Sequence, residues 1–214
     1  MLNMIYQPSF YLLRSQVYEH LREELKTENL KPGMFVTINQ LSEKLGIKRT
    51  PLRDALLQLQ SEGFVTFLPQ RGIQINELSS KDLENIYEVL GALDSKALLS
   101  VFDRITSDHI ETMKRINEEM YKTVTSTQVG AYFDLNTAFH NVYLDLSNND
   151  LLLNQLNILR QRLFKFGTKG EWIEKVRELN YTEHLKLIDL IEQGDAKQVA
   201  DFLRDTHCVI NWDQ

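Results

Sequence analysis

Residues 38–75 read INQLSEKLGIKRTPLRDALLQLQSEGFVTFLPQRGIQI, and this stretch decides the architecture of the first third of the chain. Leu41 and Leu45 lie one turn apart in a short helix that Thr37 is placed to cap and Gly46 to end. Leu52, Ala55, Leu56 and Leu59 form the apolar side of the next helix. Thr50 and Pro51 read as its N-cap and first helical residue, and Gly63 as its stop. Two short alternating segments, Phe64–Leu68 and Gly72–Ile75, flank a turn at Pro69, Gln70, Arg71 and Gly72, which predicts a β-hairpin. Upstream, Leu13, Val17, Leu21 and Leu25 recur at helical spacing over about 10–28, until Pro32-Gly33 breaks the pattern. Three helices followed by a hairpin outline a winged helix-turn-helix.

The second helix of the pair opens with three cations, Lys48, Arg49 and Arg53, in a chain whose formal charge is −6. Arg49 and Arg53 are one turn apart and share a face. In a helix-turn-helix this end of the helix meets base edges in the major groove. A guanidinium fork can donate two hydrogen bonds to guanine. Thr50 and the free N–H groups of the helix start suit phosphate. Arg71 at the hairpin tip suits phosphate or a minor groove, and Gly72 lets the backbone approach a duplex. The alternative is a solvated charged face.

The same residues carry a family resemblance. Gly46, Ile47, Arg49, Thr50, Pro51, Leu52, Arg53, Asp54, Ala55, Leu56, Leu59, Glu62, Gly63, Arg71 and Gly72 stand in register with the DNA-binding domain of GntR-family transcription regulators, and the upstream LKPG matches as well. The resemblance implies DNA contacts at Arg49, Thr50, Arg53 and Gly72, with Arg71 as a wing contact. Lys48 stands where serine or threonine is common, and Asn39 where some members carry arginine.

The 214 residues allow one large domain or two small ones. Residues 1–76 carry nine Lys/Arg against seven Asp/Glu, and residues 77–214 fifteen against twenty-three. A slightly basic first third and an acidic remainder suggest two domains with different partners. No long apolar run predicts a membrane helix, the N-terminus does not read as a secretion signal, and the single cysteine, Cys208, fits a reducing cytoplasm. Beyond residue 76 the periodicity is helical throughout. Ser79 with Asp82 opens a helix to about Phe102, and Ser107 caps one to about Val124. Others are expected near 128–147, 150–166, 171–178, 180–193 and 196–211. The expected fold is mainly α: an N-terminal winged helix-turn-helix over 1–76 and a C-terminal antiparallel all-helical bundle over 77–214.

Three of the five histidines, His140, His184 and His207, lie on different predicted helices of this bundle, and Asn136 shares a helix face with His140. His20 and His109 read as ordinary surface or packing residues. Spacing alone leaves each of the three as packing residue or ligand; together with one oxygen they would suit Zn²⁺, Ni²⁺ or another divalent ion. The bundle also resembles the FadR-type FCD ligand-binding domain, on NTAFH (136–140), SNND, TEH (182–184) and IEQGDA with His207 downstream. That resemblance implies a metal held by Asn136, His140, His184 and His207. Leu90 stands where many members carry an arginine, so Arg160 and Arg162 become the candidates to face an effector, or a solvated face. Cys208 reads as a packing neighbour of His207.

These features point to a transcription regulator, and the resemblance implies a repressor, the commonest role in that family. It would bind double-stranded operator DNA as a homodimer and answer to a small effector, such as a carboxylate, at the metal. A regulator for which the ion itself is the signal is the second reading. A zinc-dependent hydrolase is the third, and it lacks a clear proton-transfer group beyond Glu183.

Overall fold

The computed structural model describes residues 8–27, 29–123, 129–166 and 171–209. They form two units, Met1–Glu77 and Leu78–Gln214.

The first unit runs α1 (Pro8–Lys26), β1 (Phe35–Val36), α2 (Ile38–Leu45), α3 (Arg49–Ser61), β2 (Val65–Leu68) and β3 (Gly72–Ile75). Val17, Leu21 and Leu25 of α1 are buried with Leu52, Ala55, Leu56 and Leu59 of α3, the two helices being packed together. Tyr18 ties the same pair from the side. Its hydroxyl donates to Glu62 Oε2 at 2.5 Å and accepts from Arg22 Nη1 at 2.8 Å. The expected cap of α2 is present, since Thr37 Oγ1 accepts from Gln40 N–H while the Gln40 side chain reaches back to Thr37. Gly46 ends α2 at φ 66°. Ser42 Oγ, donating to the Ile47 carbonyl at 2.6 Å, pins the turn that follows.

Two expectations need correction here. The N-cap of α3 is Lys48, not Thr50, and helical geometry begins at Arg49. Pro51 is tolerated anywhere in the first turn, where its missing N–H has no partner to lose, so Thr-Pro alone could not fix the start. The hairpin also gains a strand. The short β1 pairs with β3, giving the order β1-β3-β2 with Val36 opposite Ile73 and Val65 opposite Ile75. At the tip, Arg71 N–H donates to the Leu68 carbonyl at 3.2 Å across Pro69 and Gln70, and Gln70 takes φ 60°. Proline second and a left-handed third residue match a type II turn.

The second unit runs α4 (Ser80–Val101), a 3₁₀ turn (Phe102–Arg104), α5 (Ser107–Tyr121), α6 (Val129–Leu144), α7 (Asp150–Phe166), α8 (Glu171–Gln193), α9 (Ala196–Phe202) and a π turn (Leu203–His207). The expected Ser79–Asp82 capping box opens α4. Thr106, rather than Ser107, caps α5, because His109 Nδ1 reaches back to accept the Thr106 N–H at 3.0 Å. His109 therefore serves as a cap residue. The expected end of α5 at Val124 lies outside the described residues. Residues 171–193 form one helix rather than two; Asn180 interrupts nothing, and its Nδ2 donates to Tyr132 Oη at 2.7 Å. The final segment leaves α-helical winding at Leu203, and Cys208 N–H reaches back five residues to the Leu203 carbonyl at 3.0 Å. Buried aliphatic and aromatic residues of α4 to α9 make one core, with Phe139, Tyr143, Leu98 and Leu187 at its centre. Among the described residues no helix is long and apolar enough to cross a membrane.

Gly72 has a structural reason of its own. It sits at φ 94°, and a Cβ there would lie 2.6 Å from the Val36 carbonyl oxygen. Gly72→Ala should therefore destabilise the first unit by more than the ~1–2 kcal/mol of left-handed strain alone. Urea unfolding of the full chain, followed by a probe in the first unit, would measure the difference.

Candidate metal centre and nucleic-acid interface

In the second unit, every helix from α4 to α8 and the closing π turn contribute a side chain to one buried cluster. His140 (α6), His184 (α8) and His207 (π turn) offer ligand nitrogens that all lie within 4.8 Å of one another. The three rings are 3%, 0% and 8% exposed. Phe139 stacks on His184 with centroids 3.7 Å apart.

Each imidazole is held from behind by an oxygen. His184 Nδ1 is 3.0 Å from Asn117 Oδ1, and Asn117 is itself oriented by donating Nδ2–H to the Tyr181 carbonyl at 3.1 Å. His207 Nδ1 is 2.8 Å from Glu183 Oε2. His140 Nδ1 is 2.8 Å from Tyr143 Oη, whose proton goes to Asp94 Oδ1 at 2.5 Å. Asp94 in turn forms a buried ion pair with Arg160. A carboxylate and an amide oxygen can only accept, and Tyr143 gives its proton to Asp94, so all three Nδ1 atoms carry the hydrogens. In neutral rings all three Nε2 atoms are then bare lone pairs.

The consequence is visible at the centre. His140 Nε2 and His207 Nε2 face each other at 3.3 Å, with no proton assigned to either by their outer partners. His184 Nε2 is buried without a partner, and so is Asn136 Oδ1, one turn before His140. The three converging Nε2 lone pairs, in a buried site, repel one another unless a cation sits among them. The donor set fits a divalent first-row ion: three imidazoles with an amide oxygen within the same segment of α6. Burial, and then the positive charge of Arg160 and the neighbouring rings, hold His140 well below the usual histidine range. Burial, then His207 and Arg160, do the same to His184. Both are neutral at physiological pH, the state a metal requires.

The π turn positions His207. Its wider winding is accommodated because Gly91 on α4 leaves room: a Cβ there would meet Cys208 Cβ at 2.9 Å and the Arg204 carbonyl at 3.1 Å. Cys208 is buried against this contact, as packing. Arg160 is not on a solvated face, as its position allowed; it is 7% exposed and bound to Asp94. Arg162 is half-buried with Nε unpaired. Glu183, the proton-transfer candidate that the sequence offered for a hydrolase, is engaged by His207. Asp94, Tyr143 and Asn117 were not singled out from sequence; an acid on the apolar face of α4 was the one available sign.

In the first unit Lys48, Arg49, Thr50, Arg53 and Arg71 are exposed. Arg14 and Arg22 serve the fold, bonding Gln58 and Tyr18, and Lys44 pairs with Glu24 at 3.1 Å. Among the described residues the side chains of Lys48, Arg49, Arg53 and Arg71 have no such partner. The N-terminus of α3 lacks both a side-chain cap and an acidic residue in its first turn, which leaves its N–H groups open to an anion.

Comparison with known proteins agrees with this geometry. Residues 13–75 match the family of bacterial regulatory proteins known as the gntR family, and residues 85–206 match the FCD domain. The chain is a GntR-family transcriptional regulator of the FCD type. The HTH-type transcriptional regulator YdhC of Bacillus subtilis is 28% identical over 82% of this chain and 74% of its own length. The Nta operon transcriptional regulator of Aminobacter aminovorans is 26% identical over 82% and 81%. Among solved structures, E. coli McbR/YncC superposes with a TM-score of 0.68 at 20% identity, covering 90% of this chain and 92% of its own. GntR regulators with an FCD domain are not enzymes, which removes the hydrolase reading.

His140 and His184 titrate below the ordinary value of 6.5 when folded. As pH falls through 6.5 the unfolded chain therefore takes up protons that the folded bundle refuses, and stability is lost. Without metal, the second unit should lose up to about 1.4 kcal/mol per pH unit per histidine below that point. Urea melts between pH 7.5 and 5.5 would show the slope, and His184→Asn should reduce it.

Proposed function

We propose that this regulator is a repressor that binds operator DNA through residues 1–76 and senses a small carboxylate at a divalent metal, zinc or nickel, held in residues 77–214. The observation that carries the sensing half is the convergence of three Nε2 lone pairs with every Nδ1 already satisfied. His140, His184 and His207 would hold the ion, with Asn136 as a neutral oxygen ligand. Bound there, the ion supplies a Lewis-acidic centre with open positions for an anionic oxygen. Asn117, Glu183 and the Asp94–Tyr143 pair fix the imidazole tautomers from behind.

The unpaired cations support the DNA half. Arg49 and Arg53 at the front of α3 are the proposed base readers, with Lys48, Thr50 and Arg71 as phosphate or wing contacts and Gly72 shaping the wing. A homodimer would match a two-fold operator. Occupying the operator is enough to repress, without any activating contact. The acidic remainder of the chain restrains non-specific attraction to phosphate, which suits a specific binder in the cytoplasm. For the effector to act, it must prefer one of two arrangements of the protein.

Burial of all three histidines favours a second reading, in which the ion itself is the signal. Titrating zinc, then a carboxylate panel, into an operator-binding assay separates the two: a response to metal alone selects the second.

Arg53→Ala should weaken specific operator binding by ~1–3 kcal/mol, read as a shifted midpoint in a gel-shift titration; an unchanged midpoint argues against this docking. His140→Ala with His184→Ala should remove stoichiometric metal by elemental analysis. Asn117→Ala should leave a metal site weakened ~10–100-fold, by analogy with other outer partners of metal-bound histidine, as measured by chelator competition.

A further inference from the structure

The groove between α6 and α7 is lined by none of the three histidines. It encloses about 470 Å³. The loop 145–149 is short, so the two helices run antiparallel and the groove has two chemically distinct ends. At one end lies Arg160 with Thr137; at the other, beside the loop, lie Asp145 and Asp150. Arg160 is more than nine-tenths buried and ties Nη2 to Asp94. Among the described residues its other nitrogens have no protein partner. Asp145 and Asp150 have no cationic partner among the described residues either. Leu144, Leu153 and Leu156 lie between the ends. Asn141 and Asn154 line the walls with side-chain amides that no described residue engages.

We propose that this groove is a second small-molecule site, for a zwitterion whose carboxylate meets Arg160 and whose ammonium meets Asp145 and Asp150 across an apolar spacer. A planar guanidinium with free N–H groups selects a carboxylate. Two unpaired carboxylates at the far end select a cation, and the leucines select methylenes. A simple carboxylic acid satisfies one end only. The ends are separated by eight residues from Thr137 to Asp145, just past α6, and ten along α7, roughly 12–15 Å of axis, from which the reach of the arginine and aspartate side chains is subtracted. An ω-amino acid of medium length spans what remains.

Calorimetric titration of the full chain with 6-aminohexanoate, hexanoate and hexylamine tests the assignment. The zwitterion should bind ~10-fold or more tightly than either control, since each control lacks one charge-assisted contact. Asn154→Trp, at an exposed position on the groove wall, should block all three without changing metal content or melting temperature. Asp145→Asn with Asp150→Asn should reduce 6-aminohexanoate to the affinity of hexanoate and leave hexanoate unchanged. His140→Ala with His184→Ala should leave groove binding intact. Equal affinity for the zwitterion and hexanoate overturns the proposal, as does an absence of binding. Acid binding that survives Asn154→Trp but is lost with the two histidines also overturns it, and would assign the acid to the metal centre. Groove binding in a protein that holds no metal supports this site while removing the sensing centre.

Discussion

Everything in the second unit depends on where three protons sit. Asn117, Glu183 and the Tyr143–Asp94 pair take the Nδ1 hydrogens of three histidines, and this turns three ordinary packing residues into a set of converging electron pairs. The acceptors lie on helices other than, or further along, those that carry the rings, so the bundle must be assembled before the tautomers are set. A histidine in a core can be satisfied at both nitrogens and do nothing more. Here each is satisfied at one nitrogen only, and the other nitrogens crowd a common space.

The Asp94–Arg160 pair anchors that arrangement. Arg160 donates to Asp94 Oδ2 while Tyr143 donates to Oδ1, so the chain of hydrogen bonds runs outward from His140. Removing one partner of a buried pair costs far more than the pair contributes. Arg160 also lines the groove between α6 and α7.

Much of the first unit was legible because its signals are local. Thr37 and Gln40 cap α2 within four residues, Gly46 ends it, and the Pro69–Gly72 turn joins strands that are neighbours in sequence. What escaped was non-local or permissive: β1 is two residues long and exists only against β3, and Pro51 fits any position of a first helical turn. In the second unit the three histidines could be named, since helical spacing and the resemblance on NTAFH and TEH both pointed to them. Their partners could not. Asn117 is 67 residues from His184 and Asp94 is 49 from Tyr143, and no periodicity records which side chain on another helix will oppose a ring. The periodicity predicts separate helices near 171–178 and 180–193, whereas α8 runs unbroken, and Asn180 within it donates a hydrogen bond to Tyr132.

The π turn at Leu203–His207 has a further consequence. It is a one-residue surplus in an otherwise regular coil, closed by the long Cys208-to-Leu203 hydrogen bond and admitted by the bare backbone of Gly91. Regular winding of the same residues would carry the last imidazole about 100° further around the axis. The hydrophobic interior would survive that change, and the third nitrogen donor would not. The surplus residue is thus as necessary to the cluster as the histidine that follows it.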